Sequence, residues 1–286
     1  MYAVPAAVTA TELRLGDRSF DITHRAVVMG ILNRTPDSFY DKGSYFGFDD
    51  FLAKAEQLVV DGADFLDVGG VKAGPGDFVS EEEELDRVIP AVEALRSRFD
   101  LPLSVDTWRA SVAKAAFAAG ACVGNDISGF ADPEYLPVCA AAGTSVVATH
   151  IRLAPRVPDP DPVYDDVVVD VRRFLADRAA QAEAAGIPPE RIMVDAGLDL
   201  GKTEAQSLTL LRASDALASL GYPVFLSASN KRFLWTLLDT DVAHAKEGTL
   251  AAHALGIALG CRVLRSHDAR AARRVADTMA AVLGAA

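Results

Sequence analysis

The 286-residue sequence predicts an α/β fold, a (β/α)8 barrel with a short N-terminal hairpin. Three observations carry that expectation. Short apolar runs alternate with Ala-rich helical stretches, and the alternation reaches eight strands, each followed by a helix. No linker divides the chain, so one unit spans 1–286, with the barrel over about 26–283 and a tail and hairpin over 1–25. Most helical stretches end in glycine before the next strand, at Gly62, Gly120, Gly143, Gly186, Gly221 and Gly260. Glycine adopts the left-handed conformation that closes a helix without a steric penalty. A doubly wound open sheet is the alternative, and the unbroken count of eight disfavours it.

Taken in order, residues 1–10 read as a frayed tail, since Met1–Ala10 is mildly apolar and lacks the basic start of a signal peptide. In residues 11–25, Leu13, Leu15, Phe20 and Ile22 alternate around Gly16-Asp17, which predicts the hairpin. Strands are predicted at Ala26–Leu32, Asp64–Gly69, Leu101–Thr107, Ala121–Asp126, Thr144–His150, Arg191–Gly197, Pro223–Ser229 and Cys261–His267. Helices are predicted at about 48–61, 81–99, 109–119, 132–142, 166–186, 206–219, 231–238, 248–259 and 269–283. Val112, Ala115, Ala116 and Ala119 show the helical spacing of small apolar residues. Two loops are predicted to be mobile: the Gly- and Asp-rich 34–50, and 154–163, where prolines block helix and sheet alike. Glu81–Glu84 opens a helix, where carboxylates suit the positive end of the dipole, so its role reads as structural.

Composition excludes several function classes. Net charge is −12 and no basic cluster occurs, which argues against a nucleic-acid binder. No apolar run reaches the roughly 18 residues of a membrane span. Cys122, Cys139 and Cys261 form no CxxC pair, and an odd count argues against a disulfide framework. They read as inert thiols in a reducing cytoplasm.

The chemistry gathers at the C-terminal ends of the strands, where barrels of this kind carry their sites. There stand Asn33, Gly69-Gly70, Asp106, Asn125-Asp126, His150, Asp195, Ser229-Lys231 and Arg265-His267. Burying such groups without partners costs several kcal/mol each, and a ligand and water at the mouth supply the partners. Thr107 and Asp126 also suit plain turn-forming roles. Arg265, His267 and Lys231 suit a phosphate. Asn33 offers a neutral oxygen for a hard cation such as Mg²⁺ beside it. Asp106, Asn125 and Asp195 suit a flat heterocycle with amino and ring N–H groups. No Ser-His-Asp order or zinc spacing stands out.

These residues resemble a known family. Leu32-Asn33-x-Thr35-Pro36-Asp37-Ser38-Phe39 is similar to the opening signature of the dihydropteroate synthases. So are Gly62-Ala63-Asp64 with Asp67-Val68-Gly69-Gly70, then Ser104-Val105-Asp106-Thr107 and Asn125-Asp126-Ile127-Ser128-Gly129. Asp195-x-Gly197 with Gly201-Lys202-Thr203, Ser229-x-Lys231 and Arg265-x-His267-Asp268 complete the series in the family's order. The resemblance implies a TIM barrel, a cytoplasmic homodimer, and a reaction joining 6-hydroxymethyl-7,8-dihydropterin diphosphate to p-aminobenzoate with release of diphosphate. It implies that Asp106, Asn125, Asp195, Lys231 and Arg265 bind the pterin. It implies that Asn33, Arg265 and His267 hold the diphosphate with Mg²⁺, Asn33 being the metal ligand. Arg265 and His267 would stabilise the leaving group in an SN1-like reaction that needs no strong base.

The sequence departs from the family on one side only. The usual Gly-Gly-Glu-Ser-Thr-Arg-Pro-Gly loop reads Gly69-Gly70-Val71-Lys72-Ala73-Gly74-Pro75-Gly76. The family's aromatic packing residue falls at Asp199-Leu200, Asn230 replaces an arginine beside Ser229, and Arg34 replaces a valine. Arg34, Val71, Lys72, Ala73, Gly74, Leu200 and Ser229 therefore mark an altered second-substrate region. The pattern resembles a divergent second synthase copy of actinobacteria. Two outcomes are consistent with it: a synthase-like transferase acting on p-aminobenzoate or another amine, or a pterin-binding paralogue without condensation. A methyltetrahydrofolate-using methyl transferase shares the barrel, but Arg265-x-His267 argues for a diphosphate ligand.

Overall fold

The computed structural model describes residues 8–34, 46–74 and 76–284. A two-stranded antiparallel hairpin, β1 (Glu12–Leu15) and β2 (Arg18–Asp21), precedes the barrel. Eight parallel strands follow: β3 (Val27–Asn33), β4 (Phe65–Gly69), β5 (Leu103–Asp106), β6 (Val123–Asp126), β7 (Ser145–Thr149), β8 (Ile192–Asp195), β9 (Val224–Leu226) and β10 (Cys261–Ser266). Each pairs with the next, and β10 closes onto β3. The outer layer holds α1 (Phe46–Val60), α2 (Glu81–Arg98), α3 (Ala110–Ala118), α4 (Tyr135–Ala142), α5 (Val167–Ala184), α6 (Glu204–Arg212), α7 (Ser214–Ala218), α8 (Arg232–Leu237), α9 (Lys246–Ala258) and α10 (Ala269–Val282). All eight predicted strands are present. The helix predicted over 206–219 is instead two, because the backbone leaves helical geometry at Ala213. None of the described helices is long and apolar enough to cross a membrane.

Strand alternation sorts the side chains into two cores. Val28, Leu32, Leu66, Val68, Val105, Val146, Val194 and Leu264 pack against the helices. Their neighbours Val27, Met29, Phe65, Val123, Val147, Met193, Phe225 and Val263 fill the lumen, together with Leu13, Leu15 and Ile22 of the hairpin. The hairpin plugs the N-terminal end of the barrel. Ser145 Oγ, at the start of β7, donates to Arg14 O at 2.5 Å, and Arg191, just before β8, donates to Gly16 O at 2.7 Å. Two residues further along each strand the lumen turns polar: Phe65 leads to Asp67, Val123 to Asn125, Met193 to Asp195 and Val263 to Arg265. The same period that builds the core thus sets the polar groups at the opposite mouth.

The 154–163 loop, predicted to be mobile, makes polar contacts with itself and with a neighbouring loop. Arg152 Nε donates to Asp159 Oδ2 at 2.5 Å, and the Arg156 N–H donates to Ala73 O at 3.2 Å. Long-range polar contacts supply what the prolines withhold. Of the 34–50 loop, residues 35–45 lie outside the described residues. Within Glu81–Glu84, Ser80 caps α2 by accepting from Glu83 N at 3.1 Å. Glu84 goes beyond the helix-dipole role: it is fully buried and ion-paired with Arg109. Cys122, Cys139 and Cys261 are free thiols, and burial pushes the latter two up to about 12.

Candidate functional site

Arg265 occupies the centre of the mouth. Its Nε donates to Asp67 Oδ2 at 2.8 Å and its terminal nitrogen to Asp106 Oδ2 at 2.8 Å. Asp67 also accepts from Ser104 Oγ at 2.6 Å and from Asn125 Nδ2 at 3.2 Å. Strands β4, β5, β6 and β10 thereby converge on one guanidinium. Burial works against the Arg265 charge, but Asp67 and Asp106 outweigh it and hold its pKa above the ordinary value. Burial likewise pushes Asp106 above the usual carboxylate range, with Arg265 pulling the other way and Asp67 adding to the rise. A planar cation held at its edges by carboxylates keeps its face available for a flat ring.

Asp195 ends β8, buried, with Oδ1 accepting the Gly197 N–H at 2.8 Å. Burial raises its pKa, while Lys231 and Lys202 oppose the rise. Lys231 Nζ donates to Leu198 O at 3.1 Å, and burial lowers its pKa against the pull of Asp199 and Asp195. Ser229 Oγ accepts the His267 N–H at 3.2 Å and lies 3.0 Å from His267 Nδ1. With two lone pairs and one proton, the hydroxyl can serve either tautomer of the His267 ring while it accepts that N–H. Burial, then Arg265, Lys231 and Lys54, lowers His267 to about 4, so the ring is neutral near pH 7.

The structure brings together Asp106, Asn125 and Arg265, places Lys231 within electrostatic reach of Asp195 and Arg265, and pairs Ser229 with His267. Asn33 pairs in register with Gly69, which pairs with Asp106. Arg34 turns to the helix layer, its guanidinium 5.1 Å from the Phe48 ring centroid and 5.4 Å from that of Phe51. Val71 is buried and Lys72 exposed, with Lys72 O 3.5 Å from Arg156. Ala73, Gly74 and Leu200 line one cavity of about 480 Å³ beside the mouth, with Asp199, Arg232 and Phe233. Thr107 and Asp126 serve turns, as the sequence allowed: Thr107 Oγ1 accepts from Arg109 N at 3.3 Å, and Asp126 accepts from Ser128 N at 2.6 Å and Phe130 N at 2.8 Å.

Two residues of the quoted motifs, Asp67 and Lys202, carry no assigned role in the sequence reading. Asp67 is the hub of the Arg265 network, and its signal was a charged residue inside the otherwise apolar run Phe65–Gly69. Lys202 is buried with its Nζ 2.9 Å from His150 Nδ1, and that contact exists only in the folded chain. Among the described residues no group of three or more His, Cys, Asp or Glu is placed to hold a metal. Asn33 Oδ1 faces Gly69, where a Cβ would stand 3.7 Å from it. By its chemistry, a neutral amide oxygen suits Mg²⁺ that draws its other ligands from phosphate and water.

Comparison with known proteins agrees with this geometry. The family described as "Pterin binding enzyme" matches residues 29–267. The Mycobacterium leprae protein named Inactive dihydropteroate synthase 2 is 43% identical over 266 residues, covering 91% of each chain. The Bacillus subtilis dihydropteroate synthase is 39% identical over 261 residues, covering 91% of this chain and 89% of that one. The structure of Xanthomonas albilineans dihydropteroate synthase with 4-aminobenzoic acid superposes with a TM-score of 0.88 at 38% identity, covering 96% of this chain and 99% of that one. Eight parallel strands, a polar mouth at their C-terminal ends and this level of identity establish that the chain belongs to the pterin-binding enzyme family of the dihydropteroate synthases.

Proposed function

We propose that the protein binds 6-hydroxymethyl-7,8-dihydropterin diphosphate at the barrel mouth and transfers the pterin to an amine, either p-aminobenzoate or an altered acceptor. The observation that carries this reading is Arg265 clamped by Asp67 and Asp106, with Asn125 alongside and Asp195 and Lys231 nearby. Asp195 would accept from the pterin's 2-amino and N3–H groups, and Lys231 would donate to its carbonyl. Asn125 and Asp106 would meet the rest of the polar edge. Arg265 would lie over the ring, and with neutral His267 and Asn33 it would hold the diphosphate. When bound, Mg²⁺ at Asn33 would neutralise phosphate charge. The methylene C–O bond to diphosphate breaks, the amine nitrogen bonds to that carbon, and the amine gives up a proton. Cationic groups around the leaving diphosphate do most of the work, because the nucleophile is neutral.

A second reading is favoured by the other side of the site. The cavity holding Ala73, Gly74 and Leu200 is where this chain departs from the family pattern. Relatives at 42–43% identity carry names that call them inactive. In that reading the protein binds the pterin without condensing it. Both readings include a cytoplasmic homodimer. Calorimetric titration with the pterin diphosphate and Mg²⁺, followed by a diphosphate-release assay without amine, with p-aminobenzoate and with a panel of candidate amines, separates them. Binding with release supports the transferase, and binding without release supports the second reading. Absence of binding sinks both.

A further inference from the structure

Lys202 takes no part in the reading above, yet it is buried at the junction of the β7 and β8 exits. Its three N–H groups reach Gly197 O, Leu200 O and His150 Nδ1, each at 2.9 Å, and His150 O is a longer contact at 3.3 Å. Burial lowers Lys202 to about 7, and burial together with Lys202 itself lowers His150 to about 3. His150 therefore meets the ammonium as a neutral acceptor. It is turned outward, its ring edge-on to Phe174 with centroids 4.8 Å apart.

The segment 197–201 is consequently held from two sides. Lys202 takes the carbonyls of Gly197 and Leu200, and Lys231 takes that of Leu198 between them. The backbones meet so closely that a Cβ at Gly197, where φ is +64°, would stand 1.9 Å from His150 O. No other residue tolerates both that conformation and that approach. Residue 197 links the lysine to the mouth: its N–H holds Asp195 Oδ1 and its C=O is held by Lys202. Leu200, whose carbonyl shares the same ammonium, lines the adjoining cavity.

We infer that Lys202 is a positioning residue that acts through the Gly197 peptide to aim the Asp195 carboxylate at the heterocycle. This rests on the proposed pterin reading. Removing the ammonium takes a donor from the Gly197 and Leu200 carbonyls, leaves Gly197 O to the Leu200 N–H at 3.0 Å, and lets the 197–201 segment reorient. The Asp195 acceptor pair then loses its fixed direction, although no hydrogen bond joins Lys202 to Asp195.

A double-mutant cycle tests the coupling, with 6-hydroxymethylpterin as the probe and its fluorescence as the signal. Lys202→Met is expected to weaken binding about tenfold in the parent, the usual scale of a lost charge-assisted bond. In the Asp195→Asn background the same change is expected to weaken it less than about twofold, since the group it aims is already altered. Equal losses in both backgrounds, or no loss in the parent, overturn the inference. Amide hydrogen exchange supplies a ligand-free measurement. Lys202→Met should speed exchange in peptides covering 195–201 and leave β3 and β4 peptides unchanged, and unchanged exchange at 195–201 overturns the inference. If the parent binds no pterin, the functional reading fails, and exchange alone decides the role of Lys202. If Lys202→Met does not fold, Lys202→Arg, which retains donors and charge, replaces it in both measurements with a smaller expected effect.

Discussion

Asp67 shows how much one side chain decides at the mouth. It is fully buried and accepts from Ser104, Asn125 and Arg265 at once. An isolated carboxylate in that position would be strongly disfavoured, and three donors compensate it. Asp67→Asn replaces one acceptor oxygen by a donor facing donors. It is expected to lower unfolding free energy by about 3 kcal/mol, the scale of breaking a buried pair, as read from urea denaturation. It should also weaken pterin binding, because Arg265 keeps only the Asp106 anchor. Asp106, Asn125, Asp195 and Arg265 were legible as a set because each stands at a strand end before a polar loop, and Lys231 follows β9 as the residue before α8. Which member of each neighbouring pair faces the lumen was not. Asn33 and Arg34, or Asn125 and Asp126, look alike as residue types, and only strand alternation separates a mouth group from a helix-layer group.

At the scale of elements, the hairpin and the loops carry different burdens. The hairpin contributes Leu13, Leu15 and Ile22 to the lumen core, all fully buried. Leu15→Ala is expected to cost about 3 kcal/mol by emptying part of that plug, measured by denaturant unfolding. Pterin binding should stay unchanged, because the plug closes the end of the barrel opposite the mouth. The hairpin itself was readable from Gly16-Asp17 between alternating residues, but its docking under β7 and β8 was not, since Ser145 and Arg191 reach it across more than a hundred residues. The 154–163 loop shows the same limit. Its prolines announce irregular backbone, while the contact of Arg156 with Ala73 comes from a loop on the far side of two strands.

Over the whole molecule, burial sets the pH response. His150, His253 and His267 are all held well below the ordinary histidine value, chiefly by burial. Such a group stays neutral in the folded state while the unfolded chain takes up a proton below about 6.5, so stability falls as pH falls through that window. Asp106 and Asp126 act in the opposite sense, since burial raises them and the folded state binds their protons first. A single variant isolates one contribution. His253 is fully buried, neither ring nitrogen has a hydrogen-bond partner, and burial lowers it to about 4. The stability advantage of His253→Leu over the parent should therefore grow by roughly 3 kcal/mol as pH is lowered from 7 to 4. Urea midpoints at the two pH values measure it, and a pH-independent difference would contradict a neutral buried His253.

The sequence by itself determined the barrel, because eight apolar runs, their helices and the glycine stops are local signals that each segment carries alone. It also determined that a cationic and amide-rich mouth exists, since polar residues follow buried strands at a rate the core does not tolerate without ligands. Only the tertiary structure decided that Asp67 and Asp106 share Arg265, that Lys202 reaches back to His150, and that Arg34 leaves the mouth for Phe48 and Phe51. The physical reason is separation along the chain. Arg265 meets carboxylates 198 and 159 residues away, and no local pattern specifies such a meeting until barrel closure brings the last strand beside the first.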